Sequence, residues 1–179
     1  MNNSIPKLLP YIPIAILPYP LVALLITLFS GWLPDVPEGT VLLGALLVTL
    51  IVIYGIAFLV SLIVSGYNLV SGRNPEAILR ITMIIKLIHI PAYIAIFVVG
   101  LASLITIFTA GISIVLWLLD VFTIIISGTI GLSGIIRALR EHRLTGKEAL
   151  IHGLLQFVFC ADVISSIIAY RTVARSGKD

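Results

Sequence analysis

The chain is 179 residues long, 60% hydrophobic and only 11% charged, where soluble domains carry about 25% charged residues. A mean hydropathy of +1.20 is more apolar surface than a soluble fold can hide, so the bilayer is the solvent for most of the chain. The net charge of +3 sits in loops, where it reports orientation rather than nucleic-acid binding, and the single cysteine, Cys160, excludes an intrachain disulfide and a multi-cysteine metal site.

These bounds predict an all-α polytopic transmembrane bundle, a single integral membrane domain over residues 1–179. It has four firm spans, about 14–33, 41–70, 81–108 and 112–136, plus a fifth amphipathic helix at 149–170. The start, with Lys7 before an apolar run, has the outline of a signal sequence. No small-x-small cleavage site follows, and Pro13, Pro18 and Pro20 interrupt the run, so an uncleaved first span is expected. Each proline removes a backbone donor, which predicts an irregular or kinked beginning. Trp32 stands where an interfacial anchor belongs, and the loop at 33–40 carries Asp35 and Glu38 but no basic residue.

The second span places Tyr54, Ser61, Ser65 and Asn68 on one face, and Ser61-xxx-Ser65 suits close helix contact. In the following SGRNPEA, Gly72 suits a helix C-terminus, Asn74 an N-cap, Pro75 the first helical position and Glu76 the first turn. Arg80, Lys86 and His89 lie at the start of the third span, Pro91 should kink it, and Thr82, His89, Tyr93, Gly100 and Ser103 share a face. The short turn at 109–111 makes the third and fourth spans an antiparallel hairpin. In the fourth, Ser113, Asp120, Ser127 and Gly134 recur every seventh residue, with Thr123 and Gly131 between them, so one side is small and polar and the other apolar.

Thr145 and Glu148 form a capping-box pattern that opens the last helix. Along it Glu148, His152, Gln156, Asp162, Ser166 and Tyr170 fall within about a third of the circumference. Its length matches the roughly 20 residues that a span needs. Its central Gln156 and Asp162 fit equally an interfacial or re-entrant segment, and both placements stay open at this point.

Orientation follows from the loops. Arg73, Arg80, Arg137, Arg140, Arg143 and Lys147 cluster at 71–80 and 137–148, which the positive-inside rule places in the cytoplasm together with the N-terminus, in the cytoplasmic membrane. A crossing last helix would put Arg171, Arg175 and Lys178 on the wrong side. Arg137, Arg140 and Arg143 also suit anionic lipid headgroups.

A carboxylate inside a span is protonated, paired or beside water. Asp120 therefore reads either as a proton- or cation-coupled site or as a hydrogen-bonded acid that keeps helices in register. Helical depth predicts a polar intramembrane site in which Asp162 approaches Tyr93, His89 and Lys86, with His152 and Gln156 nearer the basic rim. The competing expectation is that Lys86 and His152 snorkel to the headgroups. His152, Gln156 and Cys160 stand at successive turns of one helix and cannot close a metal tetrahedron, so no metal or cofactor is expected. No G-x-S-x-G elbow, phosphate loop or nucleic-acid motif occurs, so no catalytic residue is named.

No family motif stands out, and only the composition resembles that of small bacterial polytopic membrane proteins. Three functions are open: a small transporter or channel-like protein with its polar site around Asp120 and Asp162, an accessory or assembly subunit of a larger membrane complex, and, less supported, an intramembrane enzyme. The expected partners are membrane lipid and either a second copy of the chain or another membrane subunit.

Overall fold

Proline decides how the chain enters. In the computed structural model, which describes residues 9–29, 38–105 and 110–177, a 3-10 turn at Leu9–Tyr11 leads into the short α1 (Ile12–Ala15). The chain then turns and resumes as α2 (Tyr19–Phe29). Pro18 has no N–H to offer the carbonyl of Ile14, four residues back, and the helix breaks there. The first span is thus the segment Leu9–Leu28 in pieces, and it starts earlier than the 14–33 expected. Trp32 and most of the loop at 33–40 lie outside the described residues, as does residue 109 of the 109–111 turn.

Three long helices follow: α3 (Glu38–Val70), α4 (Pro75–Ser103) and α5 (Ala110–Arg140). Together with Leu9–Leu28 they make four segments long and apolar enough to cross a membrane. The α3–α4 joint is built as its residues dictate. Gly72 takes φ +66°, a left-handed conformation that favours glycine. The Asn74 side chain accepts from the Glu76 N–H at 3.0 Å, and Pro75 opens α4. Pro91 sits inside α4 and offers no N–H to the Leu87 carbonyl; the next carbonyl, that of Ile88, accepts from the Tyr19 hydroxyl at 2.7 Å.

Polar rungs join α3 to α5. Tyr54 lies 3.1 Å from the Thr123 hydroxyl, Thr129 donates to Ser61 at 3.2 Å, and Asn68 donates to Ser133 at 3.4 Å. In a bilayer these bonds register two apolar helices that gain little from hydrophobic contact alone. On α5 the small face meets α4 instead. A side chain at Gly134 would strike Ile78 and Leu79 at 3.0 Å, so the helices approach there through hydrogen atoms.

The predicted helix at 149–170 is not one helix. It is α6 (Gly146–Leu155) and α7 (Ala161–Ser176), joined by a turn in which Cys160 takes φ +62°. The Thr145–Glu148 capping box is present, and the exposed Glu148 carboxylate, accepting from the Thr145 N–H and hydroxyl, is held below the usual carboxylate range. With ten residues α6 advances about 15 Å, half the apolar thickness of a bilayer. The chain then doubles back, because the Ser165 hydroxyl lies 3.0 Å from Nδ1 of His152, thirteen residues earlier. A straight helix would hold those two about 20 Å apart.

Two consequences follow. The polar stripe expected along one helix is folded upon itself, with His152 and Gln156 on one arm facing Ser165 and Ser166 on the other. And α7 returns to the end from which α6 left: Val173 and Ala169 share a buried cluster with Ala138 and Leu144, and Gly177 abuts the Arg143 guanidinium. Arg171 and Arg175 therefore lie on the arm that leads back to the end holding Arg73, Arg137, Arg140 and Arg143, and the charge conflict of a crossing helix disappears. Tyr11 is at that end too, accepting from Arg73 at 3.0 Å.

This topology is testable by thiol labelling. In a Cys160→Ser background, single cysteines introduced as His142→Cys and Ser176→Cys should react with a membrane-impermeant maleimide from the same face of sealed vesicles. Labelling from opposite faces would show that the last segment crosses.

Candidate functional site

Lys86 stands eleven residues into α4, about 16 Å along its axis. Its side chain is fully buried, and so is that of Asp162; Nζ and Oδ2 are 2.9 Å apart. Lys86 therefore does not snorkel to the headgroups, as the competing expectation had it, because the hairpin brings an anion to it at depth. His152 does not snorkel either; it is buried against Ser165.

The break in the hairpin supplies the electrostatics. Lys86 Nζ also donates to the backbone carbonyl of Gln156 at 3.1 Å, an acceptor at the C-terminal end of α6. Asp162 occupies the first turn of α7. The cation thus meets the negative end of one helix dipole and the anion lies at the positive end of the next, each half-helix stabilising the opposite partner. Two buried groups here have no hydrogen-bond partner: Oδ1 of Asp162 and Nε2 of Gln156. Gln156 is at the hairpin tip rather than near the basic rim, with Ser166 donating to its Oε1 at 3.2 Å.

Glycine on α5 makes room for this tip. A side chain at Gly128 would lie 2.9 Å from the Gln156 carbonyl and 2.9 Å from the Phe157 ring, and one at Gly131 would collide with the Gln156 amide. These are approaches that only a missing Cβ permits.

One turn beyond Lys86, the buried His89 links the site to the entry segment. Its Nε2 is 2.9 Å from the carbonyl of Ile14, which can only accept, so Nε2 carries a proton. Nδ1 lies 3.4 Å from the Tyr93 hydroxyl. The Ile14 carbonyl, which gets no N–H from Pro18, accepts this bond beside a 3.3 Å one from the Leu17 N–H. Tyr93 also touches Phe159 of the hairpin tip, with centroids 5.8 Å apart.

Asp120 is 7% exposed, and its Oδ1 has no hydrogen-bond partner. It does not join Lys86. Instead it faces a cavity of about 460 Å³ between the far halves of α4 and α5. The arrangement thus brings together Lys86, Asp162, Gln156, His89 and Tyr93, pairs His152 with Ser165, and leaves Asp120 apart. Among the described residues no three His, Cys, Asp or Glu side chains converge as metal ligands.

At the basic end, Arg137 donates to Glu141 at 2.7 Å and Arg143 reaches the same carboxylate at 3.2 Å, while Arg140 approaches the Leu69 carbonyl at 3.5 Å. Sequence reasoning missed Glu141 as their shared counter-ion. It also missed the Gln156 carbonyl, the Ile14 carbonyl and Ser165. The first two are backbone atoms exposed by breaks; the Pro18 break had a signal, whereas QFVFC at 156–160 carries no glycine or proline. The readable hint there is Asp162 itself, an acid suited to a first turn but not to the middle of a span.

Four apolar spans and a helical hairpin that buries its polar face against them define an all-α polytopic integral membrane protein. A family model described as "Family of unknown function (DUF6652)" matches residues 7–175, and the chain belongs to that family. No curated protein and no solved structure matches it.

The ion pair makes a prediction. Asp162→Asn strands the Lys86 charge in the interior and should destabilise the fold by about 3–5 kcal/mol, whereas the double variant Lys86→Met/Asp162→Leu should recover most of that loss. Reversible unfolding in mixed micelles, read by circular dichroism, measures both.

Proposed function

We propose that this protein is a small transporter, with Lys86 and Asp162 as the charged centre of its polar intramembrane site and Asp120 as a second acidic station. One observation carries the reading: a fully buried ion pair at the tip of a broken helical hairpin, with a carboxylate oxygen and an amide nitrogen left unpartnered beside it. Broken helices at such depth are a recurrent setting for solute and ion sites. Intramembrane charges mark solute and proton pathways.

Charge counting supports coupling. The buried lysine, histidine and aspartate side chains among the described residues are Lys86, His89, Asp120, His152 and Asp162. With Lys86 matched to Asp162, Asp120 is the acid left for a proton or a cation. His89, Tyr93, Gln156 and His152 supply the polar groups around the centre, while Tyr54, Ser61 and Asn68 serve the α3–α5 contact. In this reading the basic end, with Arg137, Arg140 and Arg143 against anionic headgroups, is cytoplasmic, as is the N-terminus, and the membrane is the cytoplasmic one.

A second reading, an accessory subunit or one copy of a homo-oligomer, is favoured by one feature of α3. Gly44, Gly55 and Gly66 lie on its exposed side with nothing within 4 Å of where a Cβ would be. A neighbouring helix can approach closely along such a row. Mild-detergent purification separates the two: a homogeneous monomer without a companion subunit opposes this second reading.

Proteoliposomes with an entrapped pH dye, challenged with a panel of cationic, neutral and anionic small solutes, test the transport reading. Wild type should show solute-driven proton flux, and Asp120→Asn should lower it about tenfold or more. The paired Lys86→Met/Asp162→Leu variant should fold and be equally impaired. Equal flux from wild type and Asp120→Asn, or none from either, would overturn the proposal.

A further inference from the structure

The groove at Asp120 has a chemistry of its own. It opens between the far halves of α4 and α5, is lined almost wholly by apolar side chains, and has a volume of about 460 Å³, within the range of small-molecule pockets. Phe97 and Trp117, 59% and 64% exposed, and Phe159 of the hairpin tip are part of its lining. Gly100 keeps the wall low: a Cβ there would find its nearest neighbour, Leu116, at 4.0 Å. Of the two polar side chains in the lining, Ser113 is committed to the Gly100 carbonyl. The other is Asp120, nine-tenths buried, with an oxygen that no protein group satisfies.

From this we infer that the groove is a binding site for a lipophilic cation: a monovalent, bulky organic cation that enters sideways from the bilayer and sets its charge against Asp120. The apolar lining excludes strongly hydrated ions, which would have to shed their water onto side chains unable to replace it. A delocalised or alkylated cation loses little on leaving water, gains apolar contact along the groove, and is attracted by the faces of Phe97, Trp117 and Phe159. The carboxylate supplies the opposite charge where the surrounding dielectric is low. An anion of the same shape would face Asp120 with like charge and be refused. The inference names a substrate class for the transport reading but needs only binding, and so stands or falls apart from it.

Equilibrium binding of tritiated tetraphenylphosphonium to the purified full chain in detergent tests it. Wild type should bind saturably, with Trp117 emission changing in a Trp32→Phe background, since Trp32 and Trp117 are the two tryptophans. Asp120→Asn should weaken affinity about tenfold or more. Gly100→Leu, which fills the groove and leaves the carboxylate in place, should weaken it as well and serves if Asp120→Asn fails to fold. Tetraphenylborate, measured separately, should leave Trp117 emission unchanged. Absent wild-type binding, undiminished binding by Asp120→Asn or Gly100→Leu, or an equal response to tetraphenylborate would overturn the inference. Binding without flux in liposomes would retain it and remove the transport reading.

Discussion

Lys86 and Asp162 meet where neither charge has bulk water to turn to, and the rest of the structure is arranged around that meeting. The pair sits about 16 Å inside α4, at the tip of a hairpin that reaches about as far from the basic end. Two buried charges are tolerable only with good geometry and further hydrogen bonds. Here the further bonds come from a carbonyl freed by the end of α6 and from the dipole at the start of α7. A continuous helix would tie up that carbonyl and supply neither terminus at this depth.

The remaining polar contacts keep this arrangement in register. Proline breaks the entry segment, and the Ile14 carbonyl at the break also accepts from His89, one turn from Lys86. Glycine on α5 lets the hairpin tip lie against backbone, and Tyr54, Ser61 and Asn68 hold α3 at fixed height against the same helix. Asp120 stands outside this network. Like Oδ1 of Asp162 and Nε2 of Gln156, its Oδ1 has no partner, and it alone of the three belongs to a residue that lines an apolar groove.

Much of the architecture was legible one residue at a time. The lengths of the apolar runs, the capping residues Asn74 and Thr145, glycine at position 72 and the small-residue face of α5 are local signals, each tied to a backbone requirement. The grouping of Lys86, His89, Tyr93 and Asp162 was an expectation from helical depth that assumed one crossing helix, whereas in the structure a hairpin carries Asp162 to Lys86. The turn at 156–160 was not legible, because its residues have no special backbone preference. There the helix yields to what surrounds it: a broken helix costs a few hydrogen bonds, and the ion pair with its carbonyl restores them.

Sequence alone therefore determined the solvent of this protein, its helical class, its spans and the cluster of basic loops, since these follow from composition and from short-range periodicity. Only the tertiary structure decided that the last segment doubles back, that Lys86 is matched at depth instead of reaching for the surface, and that Asp120 is turned toward a groove. Those outcomes depend on which buried charge finds a partner from a distant part of the chain, and no local propensity encodes that choice.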